Sequence, residues 1–461
     1  MPKTETRSRL VDSKSKFWLL VLLLLVAIFN YTDRIVFAVM SQSIKQELGL
    51  SDFQIGLVGG LAFALVYSSF GIPIARLADR MSRVRVLSAA LFTWSAASAL
   101  CGLTGNFLHL LLARLGVGMG MAGFLPPTAS LLADHFPPQR RASALSIVQL
   151  GSPVSALTGG ILLAWIGDHW GWRAAFLAAG IPGMILAVIV LVALREPERG
   201  RLDGGRAEGA SASFRVVLGQ LLRKPALVHV VMGGALSMFG LTSIGLFLTP
   251  YFVRVHNLSL TDAGIVFGVV QFVGAVSGLL FGGFGADALA ARDVRWRAWG
   301  PAAGLSLALV AYMVGFAQTN ALVAAGFILV AAICLFIYFV PSVAMVQNMA
   351  GAHSRATAVA LYALASSIIG SGLGPASVGL ASDLYANASF AAGDYGARCP
   401  GGVAVSGAGE AMIEACRNAA ATGIRYALMT CACIFAWAAV HYLLAARTVR
   451  NDLNHAVPSA I

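Results

Sequence analysis

Apolar residues fill the chain in runs of about twenty, and charged residues are confined largely to the gaps between those runs. A helix needs roughly 20 apolar residues to cross the hydrocarbon core of a bilayer. Twelve such runs can be read, at about 17–40, 54–75, 84–104, 107–132, 142–165, 173–194, 227–253, 263–285, 298–317, 320–342, 355–381 and 422–446. The pattern predicts an all-α polytopic membrane protein.

The one long gap on the side of the N-terminus runs from Arg195 to Pro225 and is rich in Gly, Ala and Ser, which reads as a linker. The runs on either side of it echo one another. Ala78-Asp79-Arg80 closes the second run and Ala286-Asp287-Ala288 closes the eighth. Gly151-Ser-Pro153 with Gly159-Gly160 in the fifth is answered by Gly374-Pro375 and Gly379 in the eleventh. The expected organisation is a tail (1–16), a six-helix half (17–194), the linker (195–225), a second half (226–446) containing a long loop (384–421), and a second tail (447–461).

Composition agrees. Of 461 residues 58% are apolar and 11% charged, against about 25% charged in a soluble domain. The net charge of +12 does not point to nucleic acid, because no basic helix with interleaved aromatics and no zinc-type spacing occurs. The charge marks topology. Of 32 Lys and Arg, 24 fall in the N-terminal tail and in gaps on its side, which predicts both termini in the cytoplasm. Basic residues run straight into Phe17-Trp18-Leu19 with no small-residue cleavage site, so the first span is expected to be retained. The excess of Arg over Lys, with abundant Ala and Gly, suggests a bacterial chain and hence the inner (plasma) membrane. Cys399 and Cys416 share the long loop 384–421 and are a candidate disulfide if that loop faces an oxidising compartment.

Charge inside the runs carries the candidate chemistry. Asp33 and Arg34 lie in the first span and Arg114 in the fourth. Charge at such depth must be paired, hydrated or neutralised. Consecutive residues on a helix point about 100° apart, so Asp33 and Arg34 cannot face one partner together. Gly116, Gly118 and Gly120 follow Arg114 and allow the fourth span close to a neighbour, plausibly the first. A structural ion pair that sets helix register and a pair that responds to ions or binds a headgroup are both consistent with this. Burial favours the protonated carboxyl and the arginines favour the ionised one.

Between spans two and three, Ala75-Arg-Leu-Ala-Asp-Arg-Met-Ser-Arg-Val-Arg85 sets an acid before a basic cluster. Arg80, Arg83 and Arg85 would anchor the loop regardless, but Asp79 would not, so a latch between helix ends is expected. Asp134-His-Phe-Pro-Pro-Gln-Arg-Arg141 repeats the order after span four, with Arg140 and Arg141 as its basic members. Together these residues form a candidate cytoplasmic gate.

These loops, with Asn30-Tyr-Thr-Asp-Arg34, Gly49-Leu-Ser-Asp52, Gly71-Ile-Pro-Ile-Ala-Arg-Leu-Ala-Asp-Arg80, Arg114-Leu-Gly-Val-Gly118 and Pro126-Pro127, resemble the bacterial Spinster-like branch of the major facilitator superfamily over nearly the whole chain. The resemblance implies a fold of two pseudo-symmetric six-helix halves, a site between them near the midplane, and proton-linked movement of an amphiphile. Eukaryotic members move sphingosine-1-phosphate and lysophospholipids. One position departs from the branch. The glutamate that usually stands seven residues after the span-four arginine is Met121 here. Coupling through Asp33 alone, loss of coupling, and a methionine that holds one state are all open.

The intramembrane charges all lie in the first half. That suits a lysophospholipid- or sphingoid-like substrate, with its anionic head near Arg34 and Arg114. Its chain would lie against Phe239, Leu246, Phe336 and Phe339, with Tyr251, Gln271, Tyr338 and Tyr362 as neutral partners or as glue between helices. Alternating access by a monomer is expected, with protons as the coupling ion and no cofactor or metal. Rival readings are a sugar-acid or other organic-anion symporter and broad-specificity efflux. An enzyme is disfavoured, since the spans hold no paired carboxylates, no Gly-x-Ser-x-Gly element and no clustered metal ligands.

Overall fold

The structure is a computed structural model that describes residues 3–197, 219, 223–350 and 355–454. Most of the expected linker and the end of the C-terminal tail therefore lie outside the described residues.

Among the described residues the chain is built of helices, and eleven helical runs are long and apolar enough to cross a membrane. One of them, Gln139–Ala193, has 55 residues, more than twice the length a crossing needs. It is broken at Gly171, whose φ of 82° is open to glycine but costly for a residue with a Cβ. Two spans meet there, so the described residues hold twelve: α1 (Lys3–Leu48), α2 (Asp52–Arg80), α3 (Arg83–Cys101), α4 (Phe107–His135), α5 (139–170), α6 (172–193), α7 (Pro225–His256), α8 (Leu260–Ala290), α9 (Trp296–Ala317), α10 (Ala321–Ala350), α11 (Thr357–Ser389) and α12 (Glu410–Arg450).

Local chemistry sets the boundaries. Ser51 opens α2 with a capping box, its hydroxyl accepting from the Gln54 N–H while the Gln54 side chain accepts from the Ser51 N–H. The side-chain oxygens of Ser82, Asn106, Ser259 and Asn320 likewise accept from first-turn N–H groups and cap α3, α4, α8 and α10, without the reciprocal bond. Residues 57–61 of α2, 281–285 of α8 and 366–373 of α11 are wound as π-helix. All three stretches contain glycine, and such bulges bend a helix.

Contacts divide the chain into two compact units, 1–37 with 66–207 and 38–65 with 208–461. In the first, Trp94, Leu110, Val117 and Phe176 are buried among α3, α4 and α6. In the second, Tyr312, Phe316 and Phe435 stack between α9 and α12, and the Tyr442 hydroxyl lies 2.6 Å from that of Ser342. Residues 390–404 form a small cap over the start of α12. Its core is Phe390, Tyr395, Cys399, Cys416 and Ala419, and Cys399 and Cys416 are bonded to each other.

Candidate functional site

Asp33 sits on α1 with 1% of its surface exposed. Neither of its carboxylate oxygens accepts a hydrogen bond in good geometry among the described residues, although the Ser98 hydroxyl and Arg114 act on it electrostatically. Arg114, also buried, reaches the same turn of α1 by another route. Its Nη1 donates to the Asp33 main-chain carbonyl at 3.2 Å, and its guanidinium lies 4.5 Å from the Phe37 ring centre. Residues 33 and 37 are one turn apart, so Arg114 grips a single face of α1. Arg34 turns away and lies over Tyr67 of α2 at 5.4 Å, as the 100° step between neighbours requires. Met121, two turns beyond Arg114, is fully buried. Thr32 and Ser155 pair at 2.6 Å, and Ser155 donates to the Ile28 carbonyl, which ties this stretch of α1 to α5. The structure thus brings Asp33 and Arg114 to one face and places Arg34 on another. Burying a carboxylate whose oxygens accept no hydrogen bond is costly.

The candidate gate resolves around Arg83, the first residue of α3. It is buried and forms an ion pair with Asp134 at the end of α4. Its Nε donates to Glu196 at 2.8 Å, its Nη1 to the Ser130 hydroxyl at 3.0 Å and its Nη2 to the Pro197 carbonyl at 3.0 Å. Glu196 also accepts from the Ser82 hydroxyl at 2.7 Å and the Val84 N–H at 3.0 Å. A carboxylate at the start of α3 is further favoured by the helix dipole. Burial pushes the Glu196 carboxyl up, but the Val84 N–H, the Arg83 guanidinium and the Ser82 hydroxyl outweigh it and hold the pKa at about 2. Arg141 bonds to the Phe136 and Ala133 carbonyls at 3.1 and 2.8 Å and closes the α4–α5 connection. Asp79, Arg80, Arg85 and Arg140 are exposed. Glu196 escaped the sequence reading. An acid placed directly after a span and followed by Pro197 was the available signal.

A second ionic cluster, also missed, lies in the other unit. Buried Asp52 opens α2 and is held by Arg254 of α7 through two hydrogen bonds of 2.7 and 2.8 Å. Lys45 of α1 reaches it at 2.8 Å and the Ser382 hydroxyl of α11 at 2.7 Å. Gln42 accepts from the Arg254 Nε, and Asp383 accepts from the N–H groups of Asp52 and Phe53 at 2.9 and 2.8 Å. Two cations and two anions from four helices therefore balance. Beside them lies a cavity of about 680 Å³ lined in part by Lys45, Asp383, Asn387, Asp394 and Tyr395.

Of the residues proposed to face a substrate chain, Tyr251, Tyr338, Tyr362 and Leu246 are buried within their unit. Tyr251 donates to the Phe316 carbonyl at 3.3 Å, Tyr338 lies 3.8 Å from the Met238 sulfur, and Tyr362 packs against Gly234. Phe239 and Phe336 are partly buried, Gln271 lies near Gly245, and Phe339 is exposed.

Residues 23–375 match the model of the Major Facilitator Superfamily. An MFS-type efflux pump of Mycolicibacterium smegmatis is 33% identical over 370 residues, which cover 78% of this chain and 83% of that protein. The hexuronate transporter of Bacillus subtilis is 25% identical over 351 residues, 73% of this chain and 81% of its own. A crystal structure of a bacterial homologue of the human lysosomal transporter Spinster, inward-facing and unoccupied, superposes with a TM-score of 0.84. It is 31% identical, and the match covers 95% of this chain and 98% of that one. The chain therefore belongs to the Major Facilitator Superfamily of membrane transporters and resembles its Spinster-like branch.

Proposed function

We propose that the protein is a proton-linked secondary transporter that moves an amphiphile with an anionic headgroup, lysophospholipid- or sphingoid-like, by alternating access. One observation carries this reading. The Asp33 carboxylate is buried without a hydrogen-bond partner among the described residues, on the face of α1 that Arg114 grips. In such a place burial makes the ionised carboxylate costly, and a proton removes that charge. A proton taken up or released there biases one state of a transporter over another. Arg114 and Arg34 supply guanidinium groups suited to a phosphate or carboxylate head. With Met121 in place of an acid, the proton site is Asp33 alone.

The protein would act as a monomer in a bacterial inner membrane with both termini in the cytoplasm, in two six-helix halves joined through the linker 195–225. Arg83, Asp134 and Glu196 would anchor the cytoplasmic gate. The relatives favour a second reading, efflux or sugar-acid transport, since one is named as an MFS-type efflux pump and another as a hexuronate transporter.

Competition binding to purified protein at two pH values separates the readings. Lysophospholipids should compete with a pH-dependent affinity. Competition by hydrophilic sugar acids or by lipophilic cations, with lysophospholipids inert, would overturn the proposed substrate class.

A further inference from the structure

Where α7 ends and α12 begins there is a cavity of about 320 Å³. Its polar wall is Arg254, Asn257, Arg417, Asn418, Thr422 and Arg425, and it contains no acidic side chain. Asn257, in the left-handed region at φ 53°, closes α7 and bends the chain around the rim.

The three arginines differ. Arg254 is committed, since all three of its nitrogens serve Asp52 and Gln42. Arg417 and Arg425 have neither an ion pair nor a hydrogen bond among the described residues, and the Nε of half-buried Arg425 is sealed from solvent without an acceptor. Tyr251 and His256, near Arg425, satisfy each other, with the His256 Nε2 3.1 Å from the Tyr251 hydroxyl, so they offer it no counter-charge. A buried donor left without an acceptor is destabilising. Arg417, Ala421, Thr422 and Arg425 share one side of α12. The two arginines are eight residues, or about 12 Å of helix, apart, and side chains of that length can converge on one group. The Cys399–Cys416 bond pins the start of α12 beside Arg417.

We propose that this cavity binds an oxyanion, a phosphate or carboxylate group, held by Arg417 and Arg425 with Asn257, Asn418 and Thr422 as neutral donors. Guanidinium binds such groups through paired charge-assisted hydrogen bonds, and the missing acceptor of the Arg425 Nε is then supplied. A phospholipid headgroup and a free anion present the same chemistry. The site does not involve Asp33 and stands apart from the transport reading.

The test uses purified full-length protein with two probes. Native mass spectrometry compares retention of phosphatidylglycerol with that of phosphatidylcholine, and equilibrium binding measures radiolabelled inorganic phosphate. Preference for phosphatidylglycerol identifies a lipid source, and phosphate binding a soluble one. In either case the Arg417→Gln/Arg425→Gln double variant should bind about tenfold more weakly or worse, the scale of one lost charged hydrogen bond. Arg447→Gln, the same substitution at an exposed position further along α12, should bind as the parent does. No preference for either anionic probe overturns the proposal, and so does an equal loss in Arg447→Gln. Should the double variant lose its monodisperse fold, the exposed Arg417→Gln alone is read. A severalfold loss supports the site, and unchanged affinity overturns it.

Discussion

Single charges in this protein have readable surroundings, and the surroundings decide what each substitution does. The Glu196 carboxyl is held at about 2 against an ordinary value of 4.5. A group depressed on folding contributes stability above its unfolded value, and that contribution is lost as pH falls through the folded one. Glu196→Gln should therefore destabilise the solubilised protein at neutral pH by about 1 kcal/mol or less, because the pair is partly solvated, and this is read as a lower melting temperature. The gap to the parent should close between pH 4.5 and 2. A gap that stayed constant with pH would mean the carboxylate does not carry the contact. Asp52 is a harder case. Asp52→Asn leaves Lys45 and Arg254 buried without their direct ion-pair partner, and breaking such a pair costs about 3–5 kcal/mol. A marked loss of thermal stability is expected, read by melting in detergent. Near-neutral behaviour would place the cluster in water.

Helices meet through small residues, and their tolerance is correspondingly low. In the second unit α2 packs on α11 so tightly that a Cβ at Gly56 would lie 2.2 Å from the Pro375 carbonyl oxygen, and one at Gly379 2.1 Å from that of Asp52. Both obstacles are backbone and cannot rotate away. Gly56→Ala and Gly379→Ala should each sharply reduce the folded yield by size-exclusion chromatography, while Gly71→Ala, with open space around it, should be silent. Element positions were legible in the sequence because a bilayer demands a fixed length of apolar residues, and the extra break at Gly171 fell where two runs had been read. Partnerships between element ends were not legible. Asp52 meets Arg254 across 202 positions and Ser382 across 330, and no periodicity in a strand of text encodes which helix ends converge. Asp33, Arg34 and Arg114 stood out because charge at membrane depth is rare. Lys45, Asp52, Glu196 and Arg425 did not, because each lies at or near the end of a span, where charge is ordinary.

For the molecule as a whole, topology and coupling remain the quantities to measure. If both termini face the cytoplasm, the loop bearing Cys399 and Cys416 faces the oxidising side, where their bond persists. In intact cells these cysteines should resist a membrane-impermeant maleimide until a membrane-impermeant reductant is added, and no labelling even after reduction would argue for the opposite orientation. Transport itself is tested most directly at Asp33. Proteoliposomes bearing the parent protein or Asp33→Asn are compared for lysophospholipid movement with and without an imposed pH gradient, each unit of which supplies about 1.4 kcal/mol per proton. The account predicts that the gradient changes the parent's rate and leaves the variant's untouched. A variant that still answers the gradient as the parent does would contradict it.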